Sequence, residues 1–211
     1  MESEGKDFNL ILGCTGSVAS IKVTLLLDEI CAFSSSKNAR VNVRLIPTQH
    51  AVHFFDLPAL KSSHPHLLEG VFTDEDKWSS WRGRGDPVLH IELRKWADAL
   101  LIAPLDANTL AKLAKGMCDN LLTCVVRAWD IKACREGRKP VLFAPAMNTF
   151  MWDHPLTGEQ IGILKGFGFE EIPPIEKVLI CGDKGAGAME ESRKIAKIVV
   201  DKLLALNRDD G

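Results

Sequence analysis

Val141-Leu142-Phe143-Ala144-Pro145-Ala146-Met147-Asn148-Thr149-Phe150-Met151-Trp152 is the stretch on which the reading of this 211-residue chain turns. Its first four residues are apolar and short enough for a buried strand. A helical pattern begins near Pro155. Pro145 to Trp152 therefore joins the carboxyl end of a strand to a helix, and in open α/β sheets ligands bind at that end. An amide, two thioethers and an indole crowd into the last six residues. A plain connector needs none of them. A hydrophobic loop packed onto its own sheet is the alternative, and the rest of the chain has to decide.

Working outward, three more strands have the same character: Phe8 to Leu12, Val41 to Ile46 and Ala99 to Ala103. Glu170 to Pro173 reads as a short fifth. Helical spacing covers Val18 to Phe33, with Val18, Ile21, Leu25, Leu26 and Cys31 as its apolar positions. It recurs at Thr48 to Phe54, Ala107 to Lys115, Leu121 to Trp129, Gln160 to Phe167 and Ser192 to Leu206. The middle, Asp56 to Asp86, is irregular, and Ile131 to Lys139 is a charged surface excursion. Strands apolar on both faces alternating with helices predict a mostly parallel sheet covered on both sides. The expected fold is a single-domain, three-layer α/β unit of flavodoxin or Rossmann type. It spans residues 1–211, with its body at about 8–206 between short polar tails.

The totals exclude several function classes. The 26 basic and 28 acidic residues leave a net charge of −2, which argues against nucleic acid and against an anionic membrane surface. No apolar run reaches the ~20 residues of a spanning helix. The polar opening residues have no signal-peptide core, so a cytoplasmic protein is expected. Six cysteines stand at 14, 31, 118, 124, 134 and 181, with no C-x-x-C pair and no histidine at zinc spacing. A metal site is not expected, and each thiol reads most simply as a small buried hydrophobe.

The turn Gly13-Cys14-Thr15-Gly16-Ser17 follows the first strand and opens the first helix. Glycine admits a close ligand, free N–H groups favour an anion, and Ser17 adds a hydroxyl. An ordinary turn with Ser17 as N-cap reads equally well. The spacing is not that of a dinucleotide fingerprint. The second strand ends in Pro47-Thr48-Gln49-His50, with no acid for an adenosine ribose, and no Gly-Lys-Ser/Thr marks a Walker loop. A mononucleotide with one phosphate fits, FMN better than NAD. The third strand runs into Ala103-Pro104-Leu105-Asp106-Ala107-Asn108-Thr109. There Asn108 and Thr109 can donate to a phosphate or a ribityl chain, or Asp106 or Asn108 can simply cap the helix.

Gly16-Ser17-Val18-Ala19, Asp86-Pro87-Val88-Leu89-His90-Ile91, Ala103 to Thr109, Pro145 to Trp152, Cys181-Gly182-Asp183 and Gly185-Ala186-Gly187-Ala188-Met189 occur in that order. Together they resemble the homo-oligomeric flavin-containing cysteine decarboxylases. The closest match is the branch acting on 4′-phosphopantothenoylcysteine, which includes plant halotolerance-type members. The resemblance covers roughly Phe8 to Val200. It implies FMN contacts at Gly16, Ser17, Val18, Thr48, Gln49, His50, Asp106, Ala107, Asn108, Thr109 and Ala146. It implies catalytic roles for His90 and Cys181. Substrate contacts are implied at Asn148, Met151, Val178, Leu179 and Ile180, and a homotrimer with the flavin between protomers. Asp106 departs from the serine of some members, and beside a phosphate it is expected to turn away or to offer only its backbone.

The implied reaction is decarboxylation to 4′-phosphopantetheine in coenzyme A biosynthesis. The substrate amide cannot accept the electrons that CO₂ leaves behind. Oxidising the thiol to a thioaldehyde places a C=S sink β to the carboxylate, and an enethiol results. Its re-reduction makes the cycle redox-neutral, with Cys181 as the acid. His90 suits acid/base work because imidazole titrates near neutrality. Isolated, it reads as a structural histidine on the loop after Pro87. Asn148 can hold the carboxylate without adding charge, and Met151 and Trp152 supply apolar wall. Lys184 either favours a thiolate or binds the substrate's phosphate. A decarboxylase that stops at the enethiol needs no Cys181, and a flavin prenyltransferase lacks the Asn148 block. A phosphatase-inhibiting regulator of the halotolerance type is the alternative reading, although such regulators carry long acidic tails and this sequence ends in Asp209-Asp210-Gly211.

Overall fold

The computed structural model describes residues 6–79, 83–178 and 184–206. The elements, in chain order, are β1 (Lys6–Cys14), α1 (Val23–Ser36), β2 (Ala39–Pro47), α2 (Leu57–Ser63), β3 (Leu68–Val71), α3 (Asp74–Ser79) and α4 (Leu89–Trp96). They continue with β4 (Ala99–Leu105), α5 (Ala107–Lys115), α6 (Leu121–Arg127), α7 (Ile131–Arg135), β5 (Val141–Pro145), α8 (Thr149–Trp152) and α9 (Pro155–Gly166). The last are β6 (Glu170–Glu171), β7 (Ile175–Val178), β8 (Lys184–Ala188) and α10 (Ser192–Leu204). The first six strands form one parallel sheet in the order β3-β2-β1-β4-β5-β6. This doubly wound order reverses between β1 and β4, and in sheets of this kind the ligand crevice lies at such a reversal, at the carboxyl ends of the strands.

Alternation along each strand builds two cores. Leu10, Leu12, Leu101 and Leu142 face α1, α2 and α10 through Leu26, Leu27, Leu60, Ile195 and Val199. Ile11, Leu100, Ile102 and Phe143 face α4, α5, α6 and α9 through Leu93, Leu110, Val125 and Leu164. Successive strand side chains point to opposite faces, so a strand buried on both sides must be apolar throughout. The three-layer α/β expectation is met. Each fully buried Leu, Ile or Phe contributes roughly 1.5–3 kcal/mol before entropy is subtracted.

Four local readings need correction. The stretch read as irregular between Asp56 and Asp86 contains α2, β3 and α3. Asp56 caps α2, its side chain accepting from Ala59 N, a signal short enough to be hidden among prolines. The excursion at Ile131 to Lys139 includes α7, whose Ala133 and Cys134 are buried. The apolar face of the first helix is also displaced. Val18 to Lys22 is a 3₁₀ turn, and three residues per turn rotate its side chains out of register with α1. The buried side is Val23, Leu26, Leu27 and Ile30, whereas Val18, Ile21 and Leu25 are 43%, 52% and 49% exposed. Finally, the glycine-rich stretch from Cys181 to Ala188 reads as a flexible lid over a substrate, yet its Lys184–Ala188 part is strand β8, antiparallel to β7, pairing Ile175 with Ala188 and Lys177 with Gly185.

Candidate active site

Three loops at the carboxyl ends of β1, β2 and β4 converge on Gly16. A Cβ placed there would lie 2.8 Å from His50 Cβ and 3.2 Å from Asp106 Oδ2. Only a residue without a side chain lets the three turns close this far. Thr15, which the sequence reading passed over, joins two of them. Its hydroxyl donates to Pro104 O (2.9 Å) and accepts from Asp106 N (2.7 Å). Thr48 N donates to Cys14 O at 2.8 Å and ties in the β2 loop.

Both capping alternatives hold. Ser17 Oγ accepts from Ala19 N at 3.4 Å, and Asp106 Oδ1 accepts from Thr109 N at 2.7 Å. Capping does not exclude a ligand, because the first N–H groups of the turn after Ser17 have no partner on a preceding helical turn. The Asp106 side chain is held at both oxygens. One carboxylate oxygen caps α5 and the other lies along Gly16. Thr48, Thr109 and Ala146 are buried, Gly16, Ser17, Asp106 and Ala107 are partly covered, and Val18, Gln49, His50 and Asn108 are exposed.

The Asn148 loop adjoins this crevice. Ala146 N donates to Leu105 O at the end of β4 (2.9 Å), and Met147 N donates to Gly187 O of β8 (2.9 Å). Asn148 caps α8, its Oδ1 accepting from Phe150 N at 2.8 Å. Met151 is 49% exposed beside it.

His90 stands in the first turn of α4, not on a loop. Ala97 and Asp98 carry the chain from α4 into β4, and Asp98 N donates to Asn9 O near the start of β1 (2.8 Å). The carboxyl end of α4 is thus at the amino edge of the sheet, and its first turn is at the edge where the loops gather. His90 Nδ1 is buried without a hydrogen-bond partner. Burial holds the imidazole below its ordinary value, and the Lys77 ammonium pushes the same way. Lys77 in turn donates to Cys124 Sγ at 3.2 Å. Nothing in the spacing of a short acidic helix pointed to Lys77.

Cys14, Cys124 and Cys134 are buried as expected, but Cys31 and Cys118 are exposed. Burial pushes the Cys14 and Cys134 thiols up, so neither is poised as a nucleophile. Leu179, Ile180 and Cys181 lie outside the described residues, as do the side chains of Val178 and Lys184.

A family model described as Flavoprotein matches residues 1–204. The chain belongs to the flavoprotein family. This flavoprotein is 47% identical over 196 residues to the phosphopantothenoylcysteine decarboxylase of Mus musculus, covering 92% of this chain and 86% of that one. Among solved structures it is similar to a serine-for-cysteine mutant of PPC decarboxylase complexed with pantothenoylaminoethenethiol. The TM-score is 0.79 at 47% identity, with coverage of 92% of this chain and 97% of that one. It is also similar to the FMN binding protein AtHal3, with a TM-score of 0.76 at 47% identity over 91% and 94% of the two chains.

Proposed function

We propose that this flavoprotein binds FMN in the β1–β4 crevice and decarboxylates 4′-phosphopantothenoylcysteine to 4′-phosphopantetheine. The observation that carries the reading is the closure of the Gly16, His50 and Asp106 turns beside the Asn148 loop. The cradle fits a mononucleotide. Backbone N–H groups at Gly16 and Val18, with the Ser17 hydroxyl, suit a single phosphate, and no acid at the end of β2 grips a second ribose. The Asp106 carboxylate suits the hydroxyls of a ribityl chain better than a phosphate. Thr48, Gln49, His50, Ala107, Asn108, Thr109 and Ala146 complete the walls.

The chemistry FMN supplies when bound is reversible two-electron storage. The chain's own residues handle placement and protons. Burial and Lys77 keep His90 neutral before the substrate arrives, and the neutral ring is the form that can take the proton of the substrate thiol. Asn148 Nδ2 holds the carboxylate by a hydrogen bond. A cation there would stabilise the ground state that must be lost. Met151 and Trp152 exclude water from the departing carboxylate. Cys181 gives a proton to the enethiol, and Val178, Leu179 and Ile180 are assigned to the substrate.

We assign the whole chain to one functional unit, a homotrimer with flavin between protomers. The exposed apolar residues Val18, Ile21 and Leu25 beside the Ser17 turn support an interface there. A cytoplasmic location is supported by the five described thiols, all unpaired. Among the described residues no helix is long and apolar enough to cross a membrane. The test is an absorbance spectrum of the purified protein before and after adding substrate without oxygen. Flavin bands and release of CO₂ with 4′-phosphopantetheine are expected. A colourless protein unable to bind added FMN would overturn the proposal.

A further inference from the structure

Asn148 sits on a loop with little secondary structure of its own, yet its neighbours on both sides are pinned by one strand. Met147 N donates to Gly187 O at 2.9 Å. Thr149 packs against Gly185, where an added Cβ would lie 2.6 Å from Thr149 Cγ2 and 3.0 Å from its Oγ1. At Gly187 an added Cβ would lie 2.5 Å from the Met147 carbonyl oxygen, and the backbone there has φ +119°. Both contacts are shorter than any side chain permits. Thr149 Oγ1 is buried in this contact without a hydrogen-bond partner, so the close approach is kept at a polar group's expense. The strand itself is anchored, paired to β7 on one side and followed by buried Met189 and Glu190.

We propose that β8 is the template that sets the place of the Asn148 loop, and that Gly185 and Gly187 are positioning residues for Asn148. The proposal rests on the reading of Asn148 as the group that holds the substrate carboxylate. It assigns the alternate glycines of β8 a task apart from turn-making. They are flat ground on which the loop backbone rests, and the carboxylate-binding amide inherits its coordinates from that contact. The two glycines differ in what they meet. Gly187 faces backbone, which has nowhere to go. Gly185 faces the far end of a side chain, which can be removed.

That difference supplies the experiment, done on the flavin-loaded protein. Gly185→Ala is expected to lower kcat/KM about 10²-fold, with most of the loss in kcat, because a misplacement of ~1 Å at a reacting centre costs about that much. Its bound flavin and absorbance spectrum are expected to stay unchanged, since Ala146, the one flavin contact on this loop, is held by its own bond to Leu105 O and the other contacts lie on other loops. Thr149→Ala removes both colliding atoms and leaves Thr149 Cβ 3.4 Å away, an ordinary contact. The double variant Gly185→Ala/Thr149→Ala is therefore expected to recover to within a few-fold of Thr149→Ala alone. Gly187→Ala is expected to be slow whatever stands at 149, and if it does not fold, the Gly185 pair carries the test. A double variant as slow as Gly185→Ala, or a Gly187→Ala as fast as the natural protein, would overturn the proposal. Asn148→Ala, run alongside, separates two failures. Natural rates in that variant retire the role of Asn148 and the inference with it. A slow Asn148→Ala beside a fast Gly187→Ala retires the inference alone.

Discussion

Thr15 is fully buried and still meets its polar requirements, because both of its hydroxyl contacts reach the β4 loop. Its carbonyl accepts from Ser20 Oγ at 2.8 Å, which draws the 3₁₀ turn into the same joint. One small residue therefore holds two binding loops in register, and a buried hydroxyl is worth that only when fully satisfied. His90 is the opposite case, with one ring nitrogen that has no partner among the described residues. Its lowered pKa favours the neutral ring. The activity it supports should persist as pH falls below the ordinary histidine value of about 6.5. Stability behaves differently: the unfolded chain takes up the proton first, so the contribution of this group fades from about pH 6.5 down to the folded value. Lys77→Met is expected to move the acid limb of the kcat/KM–pH profile upward, toward that ordinary value. An unmoved limb would show that burial alone tunes the ring.

The helices are capped mostly by their own side chains, and the caps say which ends matter. Asn120 and Thr123 form a reciprocal capping box at the start of α6, and Asp74 of α3 accepts from Leu121 N at 2.5 Å. The Asp74 contact attaches α3 to α6, as does Lys77 on Cys124. Asn120→Ala should destabilise the protein by about 1 kcal/mol, read as a lower denaturant midpoint with flavin content unchanged. An unchanged midpoint would mean that Asp74 alone holds this end. Both α3 and the β7–β8 hairpin escaped the sequence reading for a physical reason. Each is four to six residues long, and each is stabilised by what it packs on rather than by its own periodicity. Glycine at 185 and 187 reads locally as a loop, and as a strand only once the Asn148 loop lies beside it.

At the scale of the molecule, sheet order does the chemical placing. Reversal between β1 and β4 brings residues 16 and 106 together although they are distant in sequence, and β2 and β5 add His50 and Ala146 from either side. The stripe of Val18, Ile21 and Leu25 is the largest failure of a helical pattern here, since residues spaced for a core face solvent. Ile21→Lys is expected to shift the assembly to a smaller species in analytical ultracentrifugation. A variant with undiminished mass would place the interface elsewhere.

The two-sided core was legible because a strand segment buried on both faces must be apolar at every position, and β4, β5 and the Leu10 to Leu12 stretch of β1 are so. The loops at strand ends were legible as well: Gly16, Asp106 and Asn148 carry residue types that a connector does not require. Local pattern alone thus determined the layered α/β class and the strand ends where a ligand belongs. Only the tertiary structure decided that His90 stands in the first turn of a helix, that the Lys77 charge acts on it, and that β8 lies on the Asn148 loop. Those facts depend on contacts between segments far apart in the chain, where packing and burial override what either segment prefers by itself.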